Sequence, residues 1–124
     1  MFKILFVDDI QMNLAICKKY LEKYGYKVYT ATDGLESIEL AKEVIPDLII
    51  MDLHMRNASG LEAVEQIRSY KDTNHIPIIA CSAYITMHKN ELDLFSDSIS
   101  KPVKARHLRN KVENWLFAVA STPK

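Results

Sequence analysis

Five short apolar runs recur along the chain, and each is followed by a stretch with helical spacing. The runs are Ile4-Leu5-Phe6-Val7, Val28-Tyr29-Thr30-Ala31, Leu48-Ile49-Ile50-Met51, Ile78-Ile79-Ala80-Cys81 and a weaker Ser98-Ile99-Ser100. Near-continuous apolar character fits strands buried on both faces. After the first run, Leu14, Cys17, Leu21 and Tyr24 line one helical face, with Gly25 placed to end the helix. Asp33-Gly34-Leu35-Glu36 predicts an Asp N-cap with a Glu at the third helical position, leading the apolar line Leu35, Ile38, Ala41. Ser59-Gly60-Leu61-Glu62 predicts a capping box that opens a helix with Leu61, Val64 and Ile67 inward. The stretch from Tyr84 to Phe95 predicts a helix of poorer pattern. Leu108, Val112, Trp115, Leu116 and Val119 mark a final amphipathic one.

Strand and helix alternating five times implies an α/β fold with a parallel sheet covered on both faces and right-handed crossovers. A doubly wound sheet of five strands most often takes the order 2-1-3-4-5, the flavodoxin-like arrangement, here with five helices. The length of 124 residues suits one domain, read as residues 1–120 with a loose tail at 121–124. Apolar residues make up 48% and charged residues 26%, which argues against disorder. No apolar run approaches the ~18 residues of a membrane helix, and the N-terminus lacks a signal-peptide pattern. Sixteen basic residues balance 16 acidic ones, so no bulk attraction to nucleic acid is expected. Cys17 and Cys81 lack Cys-x-x-C spacing and read as free thiols in a reducing, cytoplasmic setting. Phosphate-cradling glycine motifs are absent.

Ligands of open α/β sheets bind at the carboxyl ends of the strands, beside the reversal of strand order. Here the first run ends in Asp8-Asp9, the third in Asp52, the fourth in Ser82 and the fifth in Lys101. With strands 1 and 3 adjacent, the three acids converge on one crevice, and Ser82 and Lys101 lie along its far side. Like charges ~4 Å apart cost several kcal/mol at a protein-like dielectric, and a divalent cation relieves that cost. Hard oxygen ligands without His or Cys point to Mg²⁺. Carboxylates, metal, lysine and serine together describe phosphoryl-transfer chemistry, with Asp52 as the nucleophile candidate.

These residues resemble the receiver domains of two-component response regulators over nearly the whole chain. The resemblance rests on Phe-Val-Asp8-Asp9, Pro46-Asp-Leu-Ile-Ile-Met-Asp52, Met55, Gly60-Leu61-Glu62, Pro77-Ile-Ile-Ala-Cys-Ser82-Ala83 and Ser100-Lys101-Pro102. Asn13-Leu14 and the Ser-Gly-Leu-Glu segment are similar to stand-alone and hybrid-kinase receivers. The resemblance implies that Asp52 accepts a phosphoryl group from a phosphohistidine of a histidine kinase or phosphotransfer protein. It implies Mg²⁺ held by Asp9, Asp52 and the backbone carbonyl of His54, with Asp8 bound through water. Lys101 and the backbone amide of Ala83 would contact the phosphoryl group, and Ser82 would act as the switch. A cis Lys101-Pro102 peptide is implied as well. Output would come through contact with a downstream protein target or through phosphorelay, with no nucleic-acid or membrane contact. The molecule would be a phosphoacceptor that assists its own phosphorylation and dephosphorylation, not a turnover enzyme.

Several positions depart from the family pattern. Ser98 stands where many receivers carry an aromatic switch, which leaves Phe95 or Tyr84 as substitutes. The stretch from Ser82 to Lys101 is about three residues short, which predicts a short or displaced helix there. Arg56 replaces a common proline. Bulky His54 and Tyr84 would flank the phosphoryl group, restrict the attacking water and lengthen its lifetime. Taken singly, Asp8-Asp9 would read as a helix N-cap, Asp52 as a loop residue, Ser82 as a turn residue and Lys101 as a solvated charge. The cluster Lys101, Lys104, Arg106, Arg109 and Lys111 reads as a solvated face or, less simply, as a dock for an acidic partner. Trp115 reads as core. The four histidines have no metal-ligand spacing and read as surface. Two rival functions share the pattern. One is a receiver-like binding domain that works without phosphorylation. The other is a small phosphohydrolase of the haloacid dehalogenase type, whose nucleophile would follow the first strand in an Asp-x-Asp motif.

Overall fold

The computed structural model describes residues 1–53, 55, 60–82 and 93–121, the stretch 118–121 as helical backbone. In chain order its elements are β1 (Lys3–Val7), α1 (Gln11–Glu22), β2 (Lys27–Ala31), α2 (Gly34–Val44), β3 (Leu48–Asp52), α3 (Gly60–Ser69), β4 (Ile78–Ser82), β5 (Asp97–Ser100) and α4 (Ala105–Ser121). The five strands form one sheet in the order β2-β1-β3-β4-β5, and every neighbouring pair is parallel. This is the doubly wound arrangement that the alternation predicts. Four helices lie among the described residues. The helix expected between Tyr84 and Phe95 falls mostly on residues outside them, as does the serine of the Ser59 capping box.

Burial follows the strand order. All five residues of β3 and of β4 are buried, whereas the edge strands β2 and β5 mix buried and exposed positions. Alternate side chains feed two cores. Ile4, Phe6, Leu48, Ile50, Ile79, Cys81 and Ile99 face Leu14 and Leu21 of α1 and Leu108, Val112 and Leu116 of α4. Leu5, Val7, Ile49, Met51 and Ile78 face Ala41 of α2 and Ala63, Val64 and Ile67 of α3. Each such aliphatic side chain contributes about 1.5–3 kcal/mol by leaving water.

The helix starts divide into two kinds. At α2, Asp33 accepts the Glu36 amide hydrogen at 2.8 Å, and the Glu36 carboxylate accepts from the Thr32 amide at 2.7 Å. At α1, the N-cap is Ile10, and no side chain caps it. The simpler alternative for Asp8-Asp9, a helix N-cap pair, is thus not what the structure shows. Tyr24 is corrected: Lys23 keeps helical dihedrals, the bonds then tighten at Tyr24 and the chain turns off through Gly25 at φ +91°, and Tyr24 is exposed. Its ring packs on Tyr20, centroids 5.4 Å apart, and under the Arg109 guanidinium at 4.5 Å. Leu35, on the predicted apolar line, is 69% exposed. It belongs to the first turn of α2 and lines the groove between α2 and α3. Ser121, the first residue of the expected tail, belongs to α4, and residues 122–124 lie outside the described residues.

Candidate functional site

Register builds the site. Val7 pairs with Met51, so the chain delivers Asp8 and Asp52 side by side at the carboxyl end of the sheet. Asp8 continues the pleat of Ile4 and Phe6, and Asp52 that of Leu48 and Ile50, so both carboxylates face the α1 side. Asp8 is 4% exposed and Asp52 2%. Asp9 is half-buried. One oxygen from each of the three carboxylates lies within 4.8 Å of the others. Pleating also brings Lys101 to this face, in phase with Ile99. Its Nζ lies 3.0 Å from Asp52 Oδ1. The Lys101 amide donates to the Ser82 carbonyl at 2.8 Å, and the Lys101-Pro102 peptide is cis.

Burial pulls the Lys101 ammonium down, but the hydrogen bond and charge of Asp52, with Asp8 behind it, hold it above its ordinary value. The cation stays charged at neutral pH and gives up its stabilising contribution only as alkali takes the pH through that raised value. Asp8 does two things at once. Its Oδ1 accepts the Ile10 amide hydrogen at 2.9 Å, and its Oδ2 accepts from Asn13 Nδ2 at 3.2 Å. The acid thereby holds the turn into α1, although it is not the cap. Ser82 is buried at the end of β4, on the alternate pleat, toward the α3 layer. His54, Ala83 and Tyr84, named as metal, phosphoryl and lifetime residues, lie outside the described residues.

A cleft of about 580 Å³ opens from the acids between α1 and the turn after β5. Ile10, Ile16, Pro102 and Val103 give it apolar walls, and Asp8, Asp52 and Lys101 its polar floor. Cys17 and Cys81 also line it. Burial, and then the charge of Asp8, push the Cys17 thiol up to about 11. Burial pushes Cys81 up to about 12 against the opposing pull of Lys101. Neither offers a thiolate near neutral pH.

The donor set fits a hard divalent cation. Three carboxylates converge, and no imidazole or thiolate joins them among the described residues. Mg²⁺ meets those conditions.

Three residues have roles in the structure that the sequence reading did not give them. Gly60 starts α3, and a Cβ there would collide with the backbone carbonyl oxygen of Asp52. Only a bare Cα lets the helix approach so closely. Asn13, read only as part of a resemblance, holds Asp8. Asp97 gathers Lys111 Nζ at 2.8 Å, Trp115 Nε1 at 2.9 Å and the Ser98 amide at 2.8 Å, all at the amino end of the sheet. The basic cluster is accordingly less solvated than its sequence implies. Lys101 and Lys111 pair with aspartates, and Arg109 Nε sits 3.0 Å from Glu113.

A parallel sheet ordered 2-1-3-4-5 with acids, a lysine and a buried serine at its carboxyl edge defines a doubly wound, flavodoxin-like α/β domain. A family model for the response regulator receiver domain matches residues 4–113, and the chain belongs to that family. The polar-differentiation response regulator DivK of Brucella ovis is 30% identical over 117 residues, covering 91% of this chain and 94% of that protein. The chemotaxis protein CheY4 of Vibrio cholerae superposes with a TM-score of 0.87 at 28% identity, covering 94% of this chain and 99% of that one. The receiver domain of the sensor histidine kinase PA1611 from Pseudomonas aeruginosa superposes with a TM-score of 0.83 at 28% identity, covering 92% of this chain and 96% of that one. That structure holds a magnesium ion coordinated in its active-site cleft. No helix among the described residues is long and apolar enough to cross a membrane.

Proposed function

We propose that the protein is a Mg²⁺-dependent phosphoryl acceptor, with Asp52 as the acceptor and a histidine kinase or histidine phosphotransfer protein as donor. The observation that carries this reading is the meeting of three carboxylates within 4.8 Å with the Lys101 ammonium 3.0 Å from Asp52. An Asp52 oxygen attacks the phosphorus of a phosphohistidine. The new P–O bond forms as the P–N bond breaks, and the imidazole nitrogen keeps the electron pair. Lys101 balances the charge gathering on the phosphoryl oxygens. Ser82 and the Ala83 amide hydrogen-bond the transferred group. Asp8, through water, with Asp9, Asp52 and the carbonyl of His54 would hold the ion. When bound, it supplies positive charge that offsets repulsion between the acids and the incoming phosphoryl group. His54 and Tyr84 limit water access and so set the lifetime of the aspartyl phosphate.

Output goes to a protein target or onward through phosphorelay, and the chain is not a turnover enzyme. The test is incubation with a small phosphodonor and Mg²⁺. A single acid-stable, base-labile phosphoryl adduct is expected on the wild type only. Asp52→Asn or a chelator should abolish it, and an adduct on Asp52→Asn would end this reading. Ser98, where many receivers carry an aromatic switch, favours a second reading in which partner binding ignores phosphorylation. An unchanged partner affinity after Asp52 is phosphorylated would support that alternative.

A further inference from the structure

The zero net charge hides a segregation of sign between the two helical layers. α1 and α4 carry Lys18, Lys19, Arg106, Arg109 and Lys111 against Glu22 and Glu113. α2 and α3 carry Glu36, Glu39, Glu43, Glu62 and Glu65 against Lys42 and Arg68. Each cation of the second layer has partners of its own. Lys42 lies over the Tyr70 ring, 4.5 Å from its centroid. Arg68 donates to the carbonyls of Leu94, Asn74 and Ile76 at 2.6–3.0 Å. Between α2 and α3 runs a groove of about 400 Å³, with Leu35, Ile38 and Ala63 as its apolar floor. Glu39, Glu62 and Glu65 stand along it, and Tyr70 closes one end. Glu39 and Glu65 are exposed, and neither has a cationic partner among the described residues. Leu35, 69% exposed, offers apolar surface in this groove.

We propose that this groove docks a cationic amphipathic helix of a partner protein. The groove extends along α3 from Glu62 to Tyr70, roughly 12 Å, or about two turns of a docked helix. Leucine or isoleucine side chains of such a helix would cover Leu35 and Ile38. Its lysines or arginines, one turn apart, would meet Glu39 on one wall and Glu65 on the other. Charge complementarity selects the occupant, because an acidic segment or a nucleic acid backbone would face like charge on both walls. The surface is small, so the contact is weak and salt-sensitive. It lies on the opposite side of the sheet from the acidic cleft, and the proposal stands whether or not Asp52 accepts a phosphoryl group.

The test is a titration of isotope-labelled full-length protein with a synthetic 14-residue peptide, followed by amide shifts. The peptide has leucines at helical spacing on one face and four lysines beside them. Saturable shifts confined to residues 35–42 and 62–70 are expected. The double variant Glu39→Lys/Glu65→Lys, on exposed positions, should keep its spectrum and lose affinity by about tenfold or more. It should also gain affinity for a second peptide with glutamates in place of the lysines. Leu35→Ser should weaken the first peptide several-fold. Shifts centred on residues 8, 9 and 52, or on α1 and α4, would overturn the proposal. So would equal binding by the double variant. Shifts at 35–42 and 62–70 on simple dilution of the protein would assign the groove to a second copy of the chain and overturn the proposed partner.

Discussion

Two lysine–aspartate pairs stand at opposite ends of one sheet, and they are built differently. At the amino end, Asp97 meets Lys111, the Trp115 indole and the Ser98 amide, so one carboxylate has three donors to itself. At the carboxyl end, Lys101 meets Asp52 at a similar distance, but Asp8 and Asp9 crowd in beside it. There Lys101 pairs with one of three neighbouring carboxylates. The first arrangement ties β5 to α4 and has little left to offer a ligand. The second gathers three like charges in the geometry a divalent cation fits. Equal contact distances thus conceal opposite roles, and the local charge balance separates them.

The most direct way to break this comparison is to neutralise one acid at each end and compare signs. Asp8→Asn in chelator should stabilise the protein by about 1–2 kcal/mol, because it removes like-charge repulsion while keeping an acceptor for the Ile10 amide. Asp97→Asn should destabilise it by about 1–2 kcal/mol, because it leaves Lys111 without its counter-charge. Urea denaturation measures both. Two changes of the same sign would show that the ends are alike. Gly60→Ala should cost about 2 kcal/mol, since its Cβ meets backbone that cannot turn aside. Thermal unfolding checks it, and an unchanged melting temperature would mean that α3 is free to retreat from Asp52.

A pH titration sharpens the contrast without mutation. Burial opposes charge on Asp97, but the hydrogen bonds from Lys111, Trp115 and Ser98 win and hold its carboxyl below the usual carboxylate range. A depressed carboxyl stabilises the fold above the unfolded value near ~3.9 and loses that contribution as pH falls through the folded value. Trp115 fluorescence should therefore change in acid and stay flat through neutrality. The same indole, at the amino end, should respond little to Mg²⁺. The smallest effect concerns the thiols. Cys17 and Cys81, pushed up to about 11 and about 12, should resist a thiol reagent at pH 8 until denaturant is added. Rapid labelling of native protein would contradict the burial described for both.

What could be read in the primary structure depended on distance along the chain. The parallel sheet was legible because each strand is a local apolar run. The acids were legible because a known strand order makes strand ends into neighbours. Asp97 was not, since its partners Lys111 and Trp115 lie on another element and follow no periodic rule. Arg68 is similar: it looks like a surface helix residue, yet it collects three carbonyls from the segments around β4 and β5. Tyr24 and Leu35 misled because periodicity extends a helix face without knowing where the helix ends or which of its turns the core covers.

Gly60 has a consequence beyond stability. With helix backbone seated on the carbonyl of residue 52, the peptide of Asp52 is a floor on which α3 rests. Any shift of that peptide would have to be taken up by the helix above it.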